Sequence, residues 1–182
     1  TLKTKLELII QRYKLSDEQE HTLARWIDEH LNSHKPIAYI LGAVPFGPLT
    51  IQVSPPVLIP RPETEQWCAQ VIKNLASLKN KNFSILDMCT GSGCIGLWLA
   101  RVFPKAHIYA VDISKPALEC AQKNAETHNL ENVTFIQSDL FASIPKKLTF
   151  DIVVSNPPYV TPQEWTNLEP VITEWEDKTA LV

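Results

Sequence analysis

From Phe83 onward short apolar runs alternate with helical stretches, and this alternation restricts most what the chain can fold into. Phe83–Met88, His107–Asp112, Val133–Gln137 and Phe150–Ser155 read as strands. Between them a helix is expected over Cys94–Phe103, stopped by Pro104, and another over Lys115–His128, capped by Ser114. Strands separated by helices pair through crossovers, not hairpins, so the expected fold class is α/β with a doubly wound parallel sheet. Ligands of such sheets bind beyond the carboxyl ends of the strands. The residues that end each strand are therefore the first candidates for function.

The first strand runs into Asp87-Met88-Cys89-Thr90-Gly91-Ser92-Gly93-Cys94-Ile95-Gly96. The chain has only five glycines, and three of them, Gly91, Gly93 and Gly96, fall in this stretch. Clustered glycines let backbone approach a ligand, and the helix that follows offers free N–H groups. The second strand ends in Asp112, whose carboxylate suits ribose hydroxyls, and the third ends in Ser138-Asp139, suited to an adenine amino group. Three such features in register point to a nucleoside-type cofactor. The spacing also satisfies the dinucleotide fingerprint G-x-G-x-x-G. Against a nicotinamide enzyme stand Asp87, an acid that suits a zwitterionic amino-acid tail, and the ending of the fourth strand.

That ending is Asn156-Pro157-Pro158-Tyr159. Proline lacks an N–H and fixes φ, so two prolines force the backbone out of the sheet and leave the Pro157 carbonyl as a rigid acceptor. Asn156 adds a side-chain oxygen. Two converging acceptors can hold an NH₂ group by both hydrogens, with the Tyr159 ring against its plane.

Upstream, Leu2, Leu6, Ile9 and Tyr13 share one helical face. Ser16-Asp17-Glu18-Gln19 is a capping box opening a second helix, with Leu23, Trp26, Ile27 and Leu31 on its expected buried side. His30 and His34 near its end have no third ligand at useful spacing and read as a solvated helix end. Alternation at Leu49, Ile51 and Val53, with a second run at Val57-Leu58-Ile59, predicts a β-hairpin. A further helix is expected from Pro62 to about Leu78.

Composition narrows the partners. Hydrophobic residues make up 45% of the 182 residues, enough for a sizeable core. The net charge of −3 provides no phosphate-gripping basic footprint. No nucleic acid is expected as a direct partner. Cys68, Cys89, Cys94 and Cys120 lack zinc spacing, so no metal is expected and the thiols read as reduced packing residues. No apolar run reaches the ~20 residues of a membrane span, and no membrane partner is expected.

The Asn-Pro-Pro-Tyr ending, with Asp87–Gly93, Asp112 and Asp139, resembles class I S-adenosylmethionine methyltransferases that modify planar nitrogens. Pro36–Gly42, Phe46-Gly47 and Val57–Glu65, with its Arg-Pro-Glu-Thr-Glu string, are similar to the linker of the peptide-chain-release-factor glutamine-N5 methyltransferases. The resemblance covers the chain from about Pro36. It implies S-adenosylmethionine as cofactor and the glutamine of a Gly-Gly-Gln loop in a release factor as acceptor, in a cytoplasmic or organelle-matrix setting. It divides the chain into a helical substrate-recognition segment (1–43), a hairpin linker (44–61) and a Rossmann-like cofactor-binding domain (62–182).

In that family Cys89, Thr90, Gly91, Ser92 and Gly93 would line the methionine part of the cofactor, and Asp112 would bind its ribose. Asp139 and Leu140 would flank the adenine, while Asn156, Pro157, Pro158 and Tyr159 would hold the acceptor amide, Asn156 also facing the cofactor. Arg61, Glu63 and Thr64 would border the pocket without assigned roles. Two departures accompany the resemblance. The family carries glycine where Cys89 stands, and the last residues resemble a segment well inside the family sequence, so later strands of its seven-stranded sheet are expected to be absent and the helical segment shortened. An adenine-N6 nucleic-acid methyltransferase and a cofactor-binding module without catalysis are the other readings.

Overall fold

In the computed structural model, which describes residues 14–182, the first helix starts where the capping pattern places it. Ser16 Oγ accepts the N–H of Gln19 at 3.3 Å, and Gln19 Oε1 accepts the N–H of Ser16 at 2.9 Å, closing the head of α1, Asp17–Asn32. The segment with Leu2, Leu6, Ile9 and Tyr13 lies outside the described residues. The expected burial of the apolar face of α1 is not found among the described residues: Leu23, Ile27 and Leu31 are exposed and Trp26 is half-buried. Helical spacing decides which residues share a face, but burial also needs a partner surface. His30 Nδ1 bonds the Lys35 carbonyl at 2.9 Å, and His34 Nδ1 lies 3.3 Å from Glu174.

A short α2, Ile37–Leu41, ends at Gly42 in the left-handed region. Next comes an antiparallel hairpin of β1, Ala43–Phe46, and β2, Leu49–Gln52, with Phe46 opposite Leu49 around Gly47-Pro48. Leu49, Ile51 and Val53 point inward as their alternation requires. The second run, Val57–Ile59, expected as a hairpin arm, is irregular instead. Val57 and Ile59 are buried, but Pro55, Pro56 and Pro60 bracket them and supply no N–H groups for a ladder. The helix expected to reach Leu78 is α3, Pro62–Asn74, followed by a 3₁₀ turn over Ala76–Leu78.

The sheet follows. β3 (Ser84–Met88), α4 (Cys94–Val102), β4 (His107–Asp112), α5 (Lys115–Thr127), β5 (Val133–Gln137) and β6 (Ile152–Ser155) match the expected alternation within two residues at each boundary. The strands pair in parallel in the order β5-β4-β3-β6. Central β3 is buried from Ile85 to Met88, covered on both faces. β6 lies at one edge of this sheet, where Val153 is 55% exposed. Strand order reverses between β3 and β6, so their carboxyl ends flank the crevice where such sheets take ligands.

The chain then crosses two single-turn helices, α6 (Pro162–Trp165) and α7 (Pro170–Thr173), and folds back over the linker. Glu176 meets Arg61 at 2.7 and 2.8 Å, and the Asp177 N–H bonds the Pro56 carbonyl at 2.8 Å. Val160 and Leu181 join at 2.8 Å. No helix among the described residues is long and apolar enough to cross a membrane.

The hairpin tip is locked onto the sheet domain. Phe46 packs edge-on against Trp98 of α4, with ring centroids 5.6 Å apart, and the Gly47 N–H donates to Glu65 Oε1 at 2.9 Å. Gly47 has φ +55°, and a Cβ there would come within 2.5 Å of the Trp98 ring. Gly47→Ala should therefore destabilise the fold by about 2–4 kcal/mol, combining left-handed strain with overpacking. Chemical denaturation checks this; an unchanged midpoint would mean that the tip does not bear on Trp98.

Candidate active site

Parallel pairing sets Met88 opposite Ser155, and Ser155 Oγ donates to the Met88 carbonyl at 2.8 Å, tying the ends of β3 and β6 together. The loops leaving these two ends form the site. On the β3 side the loop must turn sharply into α4, and Cys89, Gly91 and Gly93 have φ of +61°, +56° and +83°. Two glycines adopt this region freely; Cys89 does so at a cost of roughly 1–2 kcal/mol. A Cβ at Gly91 would meet nothing within 4 Å, so the backbone there faces open space.

Asp87 braces the loop from below. Its Oδ2 accepts from Thr90 Oγ1 at 2.6 Å and from the Gly96 N–H at 2.9 Å. A Cβ at Gly96 would lie 2.7 Å from that oxygen, so a side chain there would push the carboxylate off its two donors. Asp87 is fully buried and Oδ1 has no partner among the described residues. Burial pushes its carboxyl up to about 7, outweighing the two hydrogen bonds that favour the anion. Thus Asp87 underlies the loop and is sealed from solvent.

Asp112 braces the loop from the side. Its Oδ2 accepts the Gly91 N–H at 2.8 Å and its Oδ1 the Ser114 N–H at 2.9 Å, leaving a second lone pair on each oxygen. It shares a cavity of about 70 Å³ with Cys89, Gly91, Ile113, Asn156 and Pro158. Thr90 and Ser92 line a small neighbouring cavity with Thr64 and Asn156. Ser92 Oγ is buried and unpartnered among the described residues. Burial raises the Cys89 thiol above its ordinary range, which keeps it protonated. Gly93 packs against Ala121 and Leu97, away from these cavities.

The third strand end is different. Ser138 is buried and accepts the Ser143 N–H at 2.8 Å, while Asp139 is exposed and Leu140 is exposed at φ +46°. Neither Asp139 nor Leu140 is brought to the cavities at the β3 and β6 ends. On the β6 side Asn156 is half-buried, Pro157 and Pro158 are exposed, and Tyr159 stands 75% exposed above a cavity of about 290 Å³ shared with Glu63, Thr64 and Trp67. Arg61 is the one cation lining these cavities among the described residues, and its pairing with Glu176 largely neutralises it. No His, Cys, Asp and Glu cluster that could hold a metal occurs among the described residues.

Several lining residues escaped the sequence reading. Ile113 follows Asp112 directly and could have been found from that position. Leu58 reaches the 70 Å³ cavity from the linker, and Asp177, Thr179 and Ala180 reach it only because the segment after α7 folds back over that linker. Asn124 is also missed: fully buried on α5, it exchanges hydrogen bonds with the Gln52 backbone at 2.7 and 3.0 Å and donates to the Ser92 carbonyl at 3.0 Å. It thereby joins hairpin to loop.

Residues 69–173 match the family model described as Methyltransferase small domain. The chain is 37% identical over 177 residues to the release factor glutamine methyltransferase of Thermodesulfovibrio yellowstonii, covering 97% of this chain and 63% of that relative. To the enzyme of the same name from Flavobacterium psychrophilum it is 43% identical over 152 residues, covering 83% and 53%. The chain thus spans between half and two thirds of these relatives' lengths. Among solved structures, ribosomal protein L11 methylase from Lactobacillus delbrueckii subsp. bulgaricus shares the fold, with TM-score 0.50 and 21% identity over 71% of this chain and 63% of that one.

The raised Asp87 carboxyl has a thermodynamic consequence. Its stabilising contribution is complete below the unfolded value near 3.8 and is lost as pH rises through about 7. Asp87→Asn should flatten the fall in stability across that interval, as measured by the unfolding midpoint against pH. A slope as steep as that of the parent chain would assign the titration elsewhere.

Proposed function

The chain belongs to the methyltransferase small domain family, and on that premise we propose that it serves a protein-glutamine N5-methyltransferase that uses S-adenosylmethionine and acts on the Gly-Gly-Gln glutamine of a peptide chain release factor. One observation carries the reading: the Asn156–Tyr159 ending, with free acceptors, sits beside a loop whose glycine backbone faces open space. The relatives' names and their identity to this chain support the choice of acceptor.

The residues fit the cofactor. Asp112 keeps lone pairs for ribose hydroxyls at the 70 Å³ cavity, and the open face of Gly91 admits a close ligand. Cys89, Thr90 and Ser92 would border its amino-acid part. When bound, the cofactor supplies a methyl group activated by its sulfonium.

What the protein must do is orient a weak nucleophile. An amide nitrogen has its lone pair delocalised into the carbonyl, so the gain lies in alignment and in stabilising the positive charge that grows on nitrogen. Neither Asn156 Oδ1 nor the Pro157 carbonyl has a hydrogen-bond partner among the described residues, and together they can accept both amide hydrogens. Tyr159 forms the outer wall. No side-chain base is required before transfer, since water can take the proton afterwards.

Adenine presents the same planar NH₂ edge, but the mouth of the site favours a protein acceptor. It carries Glu63, Trp67 and Tyr159 and lacks a free cation among the described residues. A phosphate chain would meet a carboxylate there without compensation.

Mass spectrometry of a release factor incubated with the full-length enzyme and S-adenosylmethionine should show one added methyl group on the Gly-Gly-Gln glutamine. Asn156→Ala should slow transfer by about 10²–10³, the scale of one preorganised hydrogen-bonding group. The rate should also vary little with salt. Methylation of DNA or RNA with the release factor untouched would overturn the assignment.

A further inference from the structure

Four cavities meet at Asn156, and Thr64 borders two of them: the small one under the glycine loop and the 290 Å³ one at the mouth. Thr64 lies in the first turn of α3, and its Oγ1 accepts Asn156 Nδ2 at 3.5 Å across 92 residues of chain. No other described group bonds the Asn156 side chain. We infer that Thr64 is a positioning residue for the transfer, holding the Nδ2 end of Asn156 so that Oδ1 faces the acceptor nitrogen. The inference rests on the amide-acceptor reading above and assigns the part played by one residue of the Arg-Pro-Glu-Thr-Glu string.

An amide side chain has two unlike ends. If Asn156 were flipped, Nδ2 would point at the hydrogens of the acceptor NH₂, and two donors do not bond. With Oδ1 toward the acceptor, Nδ2 needs a partner of its own or becomes an unsatisfied donor in a half-buried site. A hydroxyl can serve either end, so the acceptor NH₂ selects the orientation, and Thr64 anchors the amide in that orientation by giving Nδ2 its partner. The 3.5 Å separation is at the long limit for such a bond, and catalytic contacts of this kind tighten when substrate completes the site. Helix α3 is held in place independently, because Glu65 on the next residue bonds Gly47 and Cys68 is fully buried. Thr64 therefore presents its hydroxyl from a rigid support.

Thr64→Val, which keeps shape and removes the hydroxyl, and Thr64→Ser, which keeps the hydroxyl, separate positioning from packing in the full-length protein. Thr64→Val should lower kcat for glutamine methylation about tenfold, the scale of one lost hydrogen bond, with cofactor affinity by calorimetry within about twofold of wild type. Thr64→Ser should restore kcat. Placed on Asn156→Ala, Thr64→Val should change nothing further, because its effect passes through Asn156. Wild-type kcat in Thr64→Val, or equal losses in both Thr64 variants, would overturn the inference. A readout without turnover keeps it separate from the choice of acceptor: the side-chain amide resonances of Asn156 should shift in Thr64→Val and not in Thr64→Ser. If no glutamine acceptor is methylated by the wild type, the substrate reading fails, and those resonances still decide the role of Thr64.

Discussion

The parallel ladder between β3 and β6 is the constraint on which the rest of the site depends. It pairs Ile85 with Ile152 and Met88 with Ser155, joining segments 67 residues apart. Because side chains alternate faces along a strand, a slip of one residue would turn Asp87 and Val154 to the opposite faces. It would also carry Asn156 away from the loop after Met88. The Ser155 hydroxyl on the Met88 carbonyl holds the pairing at the point where it ends, so both loops leave the sheet from one place.

Above that ladder, the glycine loop keeps its shape through two carboxylates with unlike environments. Asp87 is sealed beneath it, bonded to Thr90 and Gly96, and burial makes its anion costly. Asp112 stands at the cavity, accepts backbone N–H groups from Gly91 and Ser114, and keeps lone pairs free. One acid shapes the backbone; the other both shapes it and faces the cavity. The strained Cys89 between them shows that tertiary contacts override a local preference for glycine at φ +61°.

The linker and the end of the described chain complete the enclosure from the other side. Arg61 and Glu176 form an ion pair in which the Glu176 side chain is buried, and burial raises its carboxyl even with Arg61 beside it. Removing Arg61 would leave the buried Glu176 carboxylate without a partner, so the pair specifies where the fold-back segment lies more than it adds stability. Tyr39 contributes to the same corner by donating its hydroxyl to the Val57 carbonyl at 2.7 Å.

Much of this molecule was legible in the sequence because the signals were local. Period-two and helical spacing, Ser16 and Ser114 as caps, and the prolines after Ser155 each act over a few residues, and the elements of the parallel sheet domain from β3 to β6 lie within a residue or two of their expected places. The same locality explains the misreadings. Val57–Ile59 had the apolar character of a strand but not the free N–H neighbours that pairing needs, and the stripe Leu23, Ile27 and Leu31 named a face without naming a cover. The alternation by itself determined a parallel doubly wound sheet, the loop after β3 and the proline break after β6, since steric and hydrogen-bonding rules of the backbone suffice for these. Only the tertiary structure decided that Thr64 meets Asn156, that Arg61 meets Glu176, and that Asp177 and Thr179 face the cavity while Asp139 does not. Those pairings join residues brought together by packing across the whole chain, and no pattern confined to neighbouring residues encodes them.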